Sequence, residues 1–197
     1  IDDKEAFETL AESAINEFAD YVETGKTKVI QELDSPDALL WFVWALQQYY
    51  YTVDPMQMQK DLLMSAVDIV DYILQGKHPN LKLDDNGLVR IDGTSVPMTW
   101  MNATEDGKPI TPRTGYVVEI NALWYNALRF AAMLADSPAW EEMAGKTAES
   151  FVNTFWNGLY LYDYVNGKYK DVEVRPNMIL AVSMPYSPLG RQQQKSV

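Results

Sequence analysis

The residues best suited to chemistry fall between Thr99 and Asn126. Thr99-Trp100-Met101-Asn102-Ala103 is followed by Thr111-Pro112-Arg113, then by Val118-Glu119-Ile120-Asn121-Ala122-Leu123-Trp124-Tyr125-Asn126. Two tryptophans, an arginine, a carboxylate and three amides thus crowd into about thirty residues, where a loop runs into an apolar helix. Flat aromatic faces pack against apolar C–H surfaces, while amides and guanidinium groups hydrogen-bond in fixed directions. That combination suits a sugar, whose ring has apolar faces and a rim of hydroxyls.

Cleaving a glycosidic bond ordinarily takes two carboxyl groups, one protonated and one ionised; inverting enzymes hold them ~6.5–9.5 Å apart so that water fits between. Near the loop stand Glu105, Asp106 and Glu119, with Asp37 on a different helix. Glu119 is the most interesting, in the first turn of an apolar helix between Val118 and Ile120 and within reach of Arg113 for a bidentate pair. That pair either serves a site or simply closes a loop. Glu105 and Asp106, beside Gly107, read as a solvated turn. Asn102 puts an amide where a carboxylate would make better acid–base chemistry.

Trp100 lies in irregular chain, which favours a stacking role, and Trp124 is a second candidate platform. Trp41 and Trp44, at helical spacing, read first as core. Asn121 and Asn126 are unusual in an apolar helix: a buried amide needs partners, so each either bonds to a neighbouring loop or faces a ligand. Arg175, in Arg175-Pro176-Asn177, sits between a hairpin and a helix start, a good place to face a ligand. His78 is the single histidine, which excludes a multi-histidine metal site and makes a Ser-His-Asp triad improbable. No phosphate-binding or dinucleotide glycine motif occurs. No metal or cofactor is expected.

The elements that must position these residues follow from periodicity. Phe7, Leu10, Ala14, Ile15, Phe18 and Tyr21 recur at helical spacing, predicting a helix over residues 4–24. Ser35-Pro36-Asp37 combines a hydroxyl cap, a proline at the first helical position and an acid near the positive helix end. The helix it opens, Ala38 to Tyr51, is apolar almost all round and is expected to be deeply buried. A third helix is expected from Met56 to Leu74, and a hairpin around Asp85-Asn86-Gly87 within Leu81 to Ile91. Residues 92–115 read as one long loop. A fourth helix is expected from Val117 to Ala135, and Ser137-Pro138 caps a fifth to about Asn157. A second hairpin turns at Asn166-Gly167 within Leu159 to Val172. A sixth helix runs from Arg175-Pro176-Asn177 to about Ser183, and a seventh starts at Pro188. Paired helices with small hairpins in the connecting loops predict a mainly α antiparallel array of α/α-toroid type.

At 197 residues, 47% hydrophobic and 12% aromatic, the chain can bury a sizeable core. Its formal net charge of -12 argues against nucleic acid or an anionic membrane as partner. The absence of cysteine excludes disulfides and thiolate zinc sites. No apolar run reaches the roughly 18 residues of a membrane span. A single domain over residues 1–197 is expected, cut at both ends from a longer cytoplasmic protein.

The motifs together resemble the C-terminal glucosidase domain of glycogen debranching enzymes, the amylo-α-1,6-glucosidase family. The resemblance runs from Asp37-Ala38-Leu39-Leu40-Trp41-Phe42 to Arg175-Pro176-Asn177 and Pro185-Tyr186-Ser187-Pro188-Leu189, and is sharpest at TWMNA…TPR…VEINALWYNAL. It implies a partial (α/α)6 toroid, an inverting mechanism and an α-glucan partner whose α-1,6-linked branch glucose is released. In that family an aspartate after the tryptophan–methionine pair acts as general acid. Here the matching residue is Asn102, and general acid help is worth ~10²–10⁴ in rate. The family's base is expected beyond Val197. The likeness makes Trp100, Arg113, Glu119, Asn121, Trp124 and Arg175 the pocket candidates, with Asp37 and Trp41 as second choices. The alternatives are a non-catalytic glucan-binding module, in which Asn102 replaces the general acid, and a hydrolase in which Glu119 or Asp37 supplies the proton instead. An open half-ring would expose apolar helical edges and favour a homo-oligomer.

Overall fold

The computed structural model describes residues 3–25 and 35–197. Helix α1 (Lys4–Thr24) starts where the Asp3 carboxylate accepts the Ala6 amide at 2.9 Å and stops at Gly25 in the left-handed conformation. Helix α2 (Ala38–Thr52) opens differently from the expected hydroxyl cap. The Ser35 hydroxyl donates to Asp37 Oδ1 at 2.7 Å, and among the described residues no side chain caps the helix. Nor is α2 buried all round. Leu39, Leu40, Val43 and Leu46 are, but Trp41, Phe42 and Trp44 are only half-buried, because α3 and α4 cover the opposite flank.

The expected third helix is broken. Asp54 accepts the Met56 amide at 2.8 Å and sets a short 3-10 turn, Pro55–Gln57. The Tyr49 hydroxyl then accepts the Gln59 amide at 2.9 Å, and only afterwards does α3 (Lys60–Leu74) begin. Side-chain capture of two amides competes successfully with helix propagation there.

Strands β1 (Lys82–Leu83) and β2 (Val89–Asp92) form the first expected hairpin. Its turn is tied inward: the Gly87 carbonyl accepts both Trp124 Nε1 at 3.0 Å and the Thr147 hydroxyl at 3.1 Å. Gly87 has φ +84, and a Cβ there would stand 2.6 Å from Thr147 Oγ1. Residues 92–115 are not one loop. They hold a small hairpin, β3 (Thr104–Glu105) with β4 (Lys108–Pro109), and lead into β5 (Thr114–Val117).

Strand β5 joins the two expected hairpins into one sheet. It pairs with β2 (Ile91 opposite Gly115) and with β6 (Tyr164–Asn166; Val165 opposite Tyr116), and β6 pairs with β7 (Tyr169–Lys170). All pairs are antiparallel, in the order β1-β2-β5-β6-β7. Gly115, at φ +85, is required because a Cβ would collide with the Val165 carbonyl.

Strand β5 runs without a loop into α4 (Val118–Ala135), whose residues from Val118 to Leu128 are all buried. It packs against α2, α3 and α5 (Pro138–Phe155), the last capped by Ser137 Oγ accepting the Trp140 amide at 3.4 Å. The expected sixth helix is a 3-10 turn, Pro176–Ile179, leading into the four-residue α6 (Leu180–Ser183). The last helix, α7 (Arg191–Ser196), starts later than Pro188 because Ser187 holds the preceding turn. Its hydroxyl donates to the Ala181 carbonyl at 2.6 Å and accepts the Leu189 amide at 3.2 Å.

The fold is thus mainly helical with a small antiparallel sheet. One apolar cluster lies among α1 to α4; a second fills the space between α4, α5 and β6. No helix among the described residues is long and apolar enough to cross a membrane.

Candidate functional site

The site grows from the junction of β5 and α4. Arg113, just before β5, is 2% exposed and forks onto Glu119 in the first turn of α4. Its Nη1 meets Glu119 Oε1, and its Nη2 lies 2.7 Å from Oε2. The same Nη2 reaches Asp163 Oδ1 at 2.9 Å, while Nε stands 2.8 Å from Asp163 Oδ2, close for an ion pair but poorly aligned for a hydrogen bond.

Asp163 is the centre of the cluster. It is fully buried, and its two oxygens also accept Arg175 Nη1 at 2.8 Å and Asn177 Nδ2 at 2.7 Å. Arg175 Nη1 extends the chain to Asp171 at 2.9 Å. Two guanidinium groups are therefore interleaved with three carboxylates. Burial pushes the Glu119 carboxyl above its ordinary range, with the Arg113 fork pulling it back and the Asp163 charge adding to the rise. Burial also works against the Arg113 charge, but Glu119 and Asp163 outweigh it, and the guanidinium is held protonated. Among the described residues no group of three or more acidic or histidine side chains is arranged to hold a metal ion.

This buried cluster reaches the surface through Asn177. Its Oδ1 accepts Trp100 Nε1 at 3.0 Å, and its Nδ2 lies 3.4 Å from the Met101 sulfur. Trp100 is nonetheless 55% exposed. Asn102, two residues on, is also exposed, and the Ala103 carbonyl accepts the Ile110 amide at 3.0 Å, tying the loop to the β3–β4 hairpin. Beside the cluster opens a cleft of about 490 Å³, lined by residues including Pro112, Tyr169, Asp171 and Arg175.

The structure therefore links Trp100, Arg113, Glu119 and Arg175 in one connected assembly, while Asn102 stands exposed two residues beyond Trp100. Others lie elsewhere. Trp124 is fully buried with its indole N–H on Gly87, so neither of its faces is open. Asn121, also fully buried, clasps Val89: its Oδ1 accepts the Val89 amide at 2.9 Å, and its Nδ2 donates to the carbonyls of Val89 at 2.9 Å and Val117 at 3.0 Å. Asn126 bonds Gln47 and the Tyr186 amide. Both amides thus bind neighbouring segments. Asp37 and Trp41 sit half-buried at the start of α2, with Trp41 edge-on to Trp44 at 5.7 Å.

Asp163 and Asn177 were not singled out from the sequence. A signal for Asp163 existed: in Leu161-Tyr162-Asp163-Tyr164-Val165 it occupies the inward register, with Leu161 and Val165 buried on either side. A charge at an inward strand position demands partners. Asn177 carried no comparable mark.

The Amylo-alpha-1,6-glucosidase family model matches residues 5–197, a span that takes in the cluster, the Trp100 loop and every helix up to α7. No curated protein matches the chain. On that match, the chain belongs to the Amylo-alpha-1,6-glucosidase family.

Proposed function

We propose that this chain is part of a glycogen-debranching-type glycoside hydrolase that acts on α-1,6-linked branch glucose of glycogen-like glucans in the cytoplasm. Its helices would form a single domain contributing part of an (α/α)6 toroid, and water would attack the anomeric carbon with inversion. The observation that carries this reading is the exposed Trp100–Asn102 segment, anchored to a buried carboxylate–guanidinium cluster in a chain of this family. An aromatic face beside polar side chains suits an α-glucan.

A second reading, a glucan-binding module without catalysis, is favoured by one specific feature. The residue at the acid position, Asn102, is an exposed amide with no titratable proton. Glu119 is a poor substitute, since it is 2% exposed and Arg113 engages both its oxygens. Asp37 accepts the Ser35 hydroxyl at the start of α2.

The test is glucose release from a branched limit dextrin by the full-length protein and by its Asn102→Asp and Glu119→Gln forms. Turnover in the parent supports the hydrolase. An inactive parent that still binds the dextrin, with a gain of about 10²–10⁴ in Asn102→Asp, supports the binder. Failure of every form to bind or cleave α-glucans defeats both.

A further inference from the structure

We propose that Asn177, oriented by the buried Asp163 carboxylate, is a positioning residue that fixes the exposed Trp100 indole as a stacking platform for a ring of an α-glucan. The identity of the ligand rests on the α-glucan reading above; the tether itself does not.

The chemistry of the three groups allows only one arrangement. The Trp100 indole is a donor and nothing else, and the Asp163 carboxylate, already receiving Arg113 and Arg175, is an acceptor. A side chain linking them must accept on one side and donate on the other, which a primary amide does. Asp163 therefore dictates which way the Asn177 amide faces: Nδ2 inward to the carboxylate, Oδ1 outward to the indole. Aspartate at 177 would turn a second acceptor onto Asp163. The amide is itself rigid, being 2% exposed at the start of the 3-10 turn after Pro176.

The consequence lies at Trp100. A side chain 55% exposed would ordinarily sample several rotamers, yet this one is tied by its Nε1 at 3.0 Å. A platform ordered before the ligand arrives does not lose that freedom on binding, and ordering one side chain typically changes affinity by about three- to tenfold.

The test uses the ¹⁵N-labelled chain, whose six tryptophans give six indole N–H resonances, with Trp100→Phe identifying the relevant one. Wild type, Asn177→Ala and Asn177→Asp are compared for that resonance, for its hydrogen exchange and for binding of panose, a glucose trisaccharide with one α-1,6 and one α-1,4 linkage. In both variants the Trp100 resonance is expected to move and exchange faster while the other five hold. Panose affinity should fall about three- to tenfold. The five unmoved resonances guard against a variant that has merely unfolded. As a second route, Trp100→Phe removes the donor, so adding Asn177→Ala to it should cost no further affinity.

An unchanged Trp100 resonance in Asn177→Ala overturns the tether. A freed indole with unchanged panose affinity, or an additive loss in the double variant, overturns the platform role. If wild type binds no panose, the α-glucan reading fails together with the platform role, while the resonance still decides the tether.

Discussion

Asp163 shows how one buried charge can organise a surface. Its carboxylate holds Arg113, Arg175 and Asn177, and those three hold Glu119, Asp171 and Trp100. Removing one partner of a buried ion pair leaves the other charge uncompensated, at a cost of about 3–5 kcal/mol. Asp163→Ala should therefore lower unfolding stability by about that amount in urea titrations, and Trp100 should lose its fixed environment in the same variant. Arg113→Lys keeps the charge but loses the planar fork that spans Glu119 and Asp163. It should destabilise as well, and a stability equal to wild type in the same titration would sink the view that fork geometry matters.

Among the elements, the β5–α4 junction and the α1–α2 contact do the positioning. Asn121 links α4 to both backbone groups of Val89, so Asn121→Leu strands a buried amide and carbonyl of β2, each costing about 1–3 kcal/mol. The Val89 amide should then lose hydrogen-exchange protection ahead of the α3 amides. Helix α1 is attached through Tyr49, whose ring stacks on Phe7 at 5.3 Å and whose hydroxyl donates to Glu8. That hydroxyl, with Lys4 assisting against the opposing effect of burial, holds the Glu8 carboxyl below its ordinary value of 4.5. A folded-state pKa below the unfolded one stabilises above about pH 4.5, and the contribution disappears as pH falls through the lowered value. Exchange protection of α1 should thus weaken on acidification, and Glu8→Gln should flatten that dependence. A Glu8→Gln profile matching wild type would refute the assignment.

For the whole molecule, the apolar surface at the α2–α3 corner is the notable exposure. Tyr51, Met56 and Met64 are 51%, 92% and 42% exposed, and Tyr51 and Met64 line a cleft of about 520 Å³ with Val53, Leu63 and Leu134. Contiguous apolar patches of this kind commonly mark contact surfaces. We propose that this surface is the exposed helical edge expected from the sequence, so sedimentation should show concentration-dependent self-association that Met64→Glu weakens. A sharp monomer at all concentrations would refute the homo-oligomer.

Local pattern determined a good deal by itself. The periodic apolar residues of α1, α4 and α5, the Ser137-Pro138 start and the turns at Asn86-Gly87 and Asn166-Gly167 depend on neighbours a few residues away, and all of these elements form. The long VEINALWYNAL run placed Glu119 in the first turn of a buried helix, where it stands. Tertiary structure decided the rest. Strand β5 forms because its partners come from residues 24 positions before and 49 after, as in Ile91 with Gly115 and Tyr116 with Val165, beyond any local pattern. The same distance hid the partners of the candidate residues. Nothing near Trp124 announces that Gly87 will take its indole N–H, and nothing near Trp100 announces Asn177. Side-chain type told which residues were able to do chemistry. Which of them face outward followed from burial and hydrogen bonding across the fold, where a polar group must find a partner wherever the chain brings one.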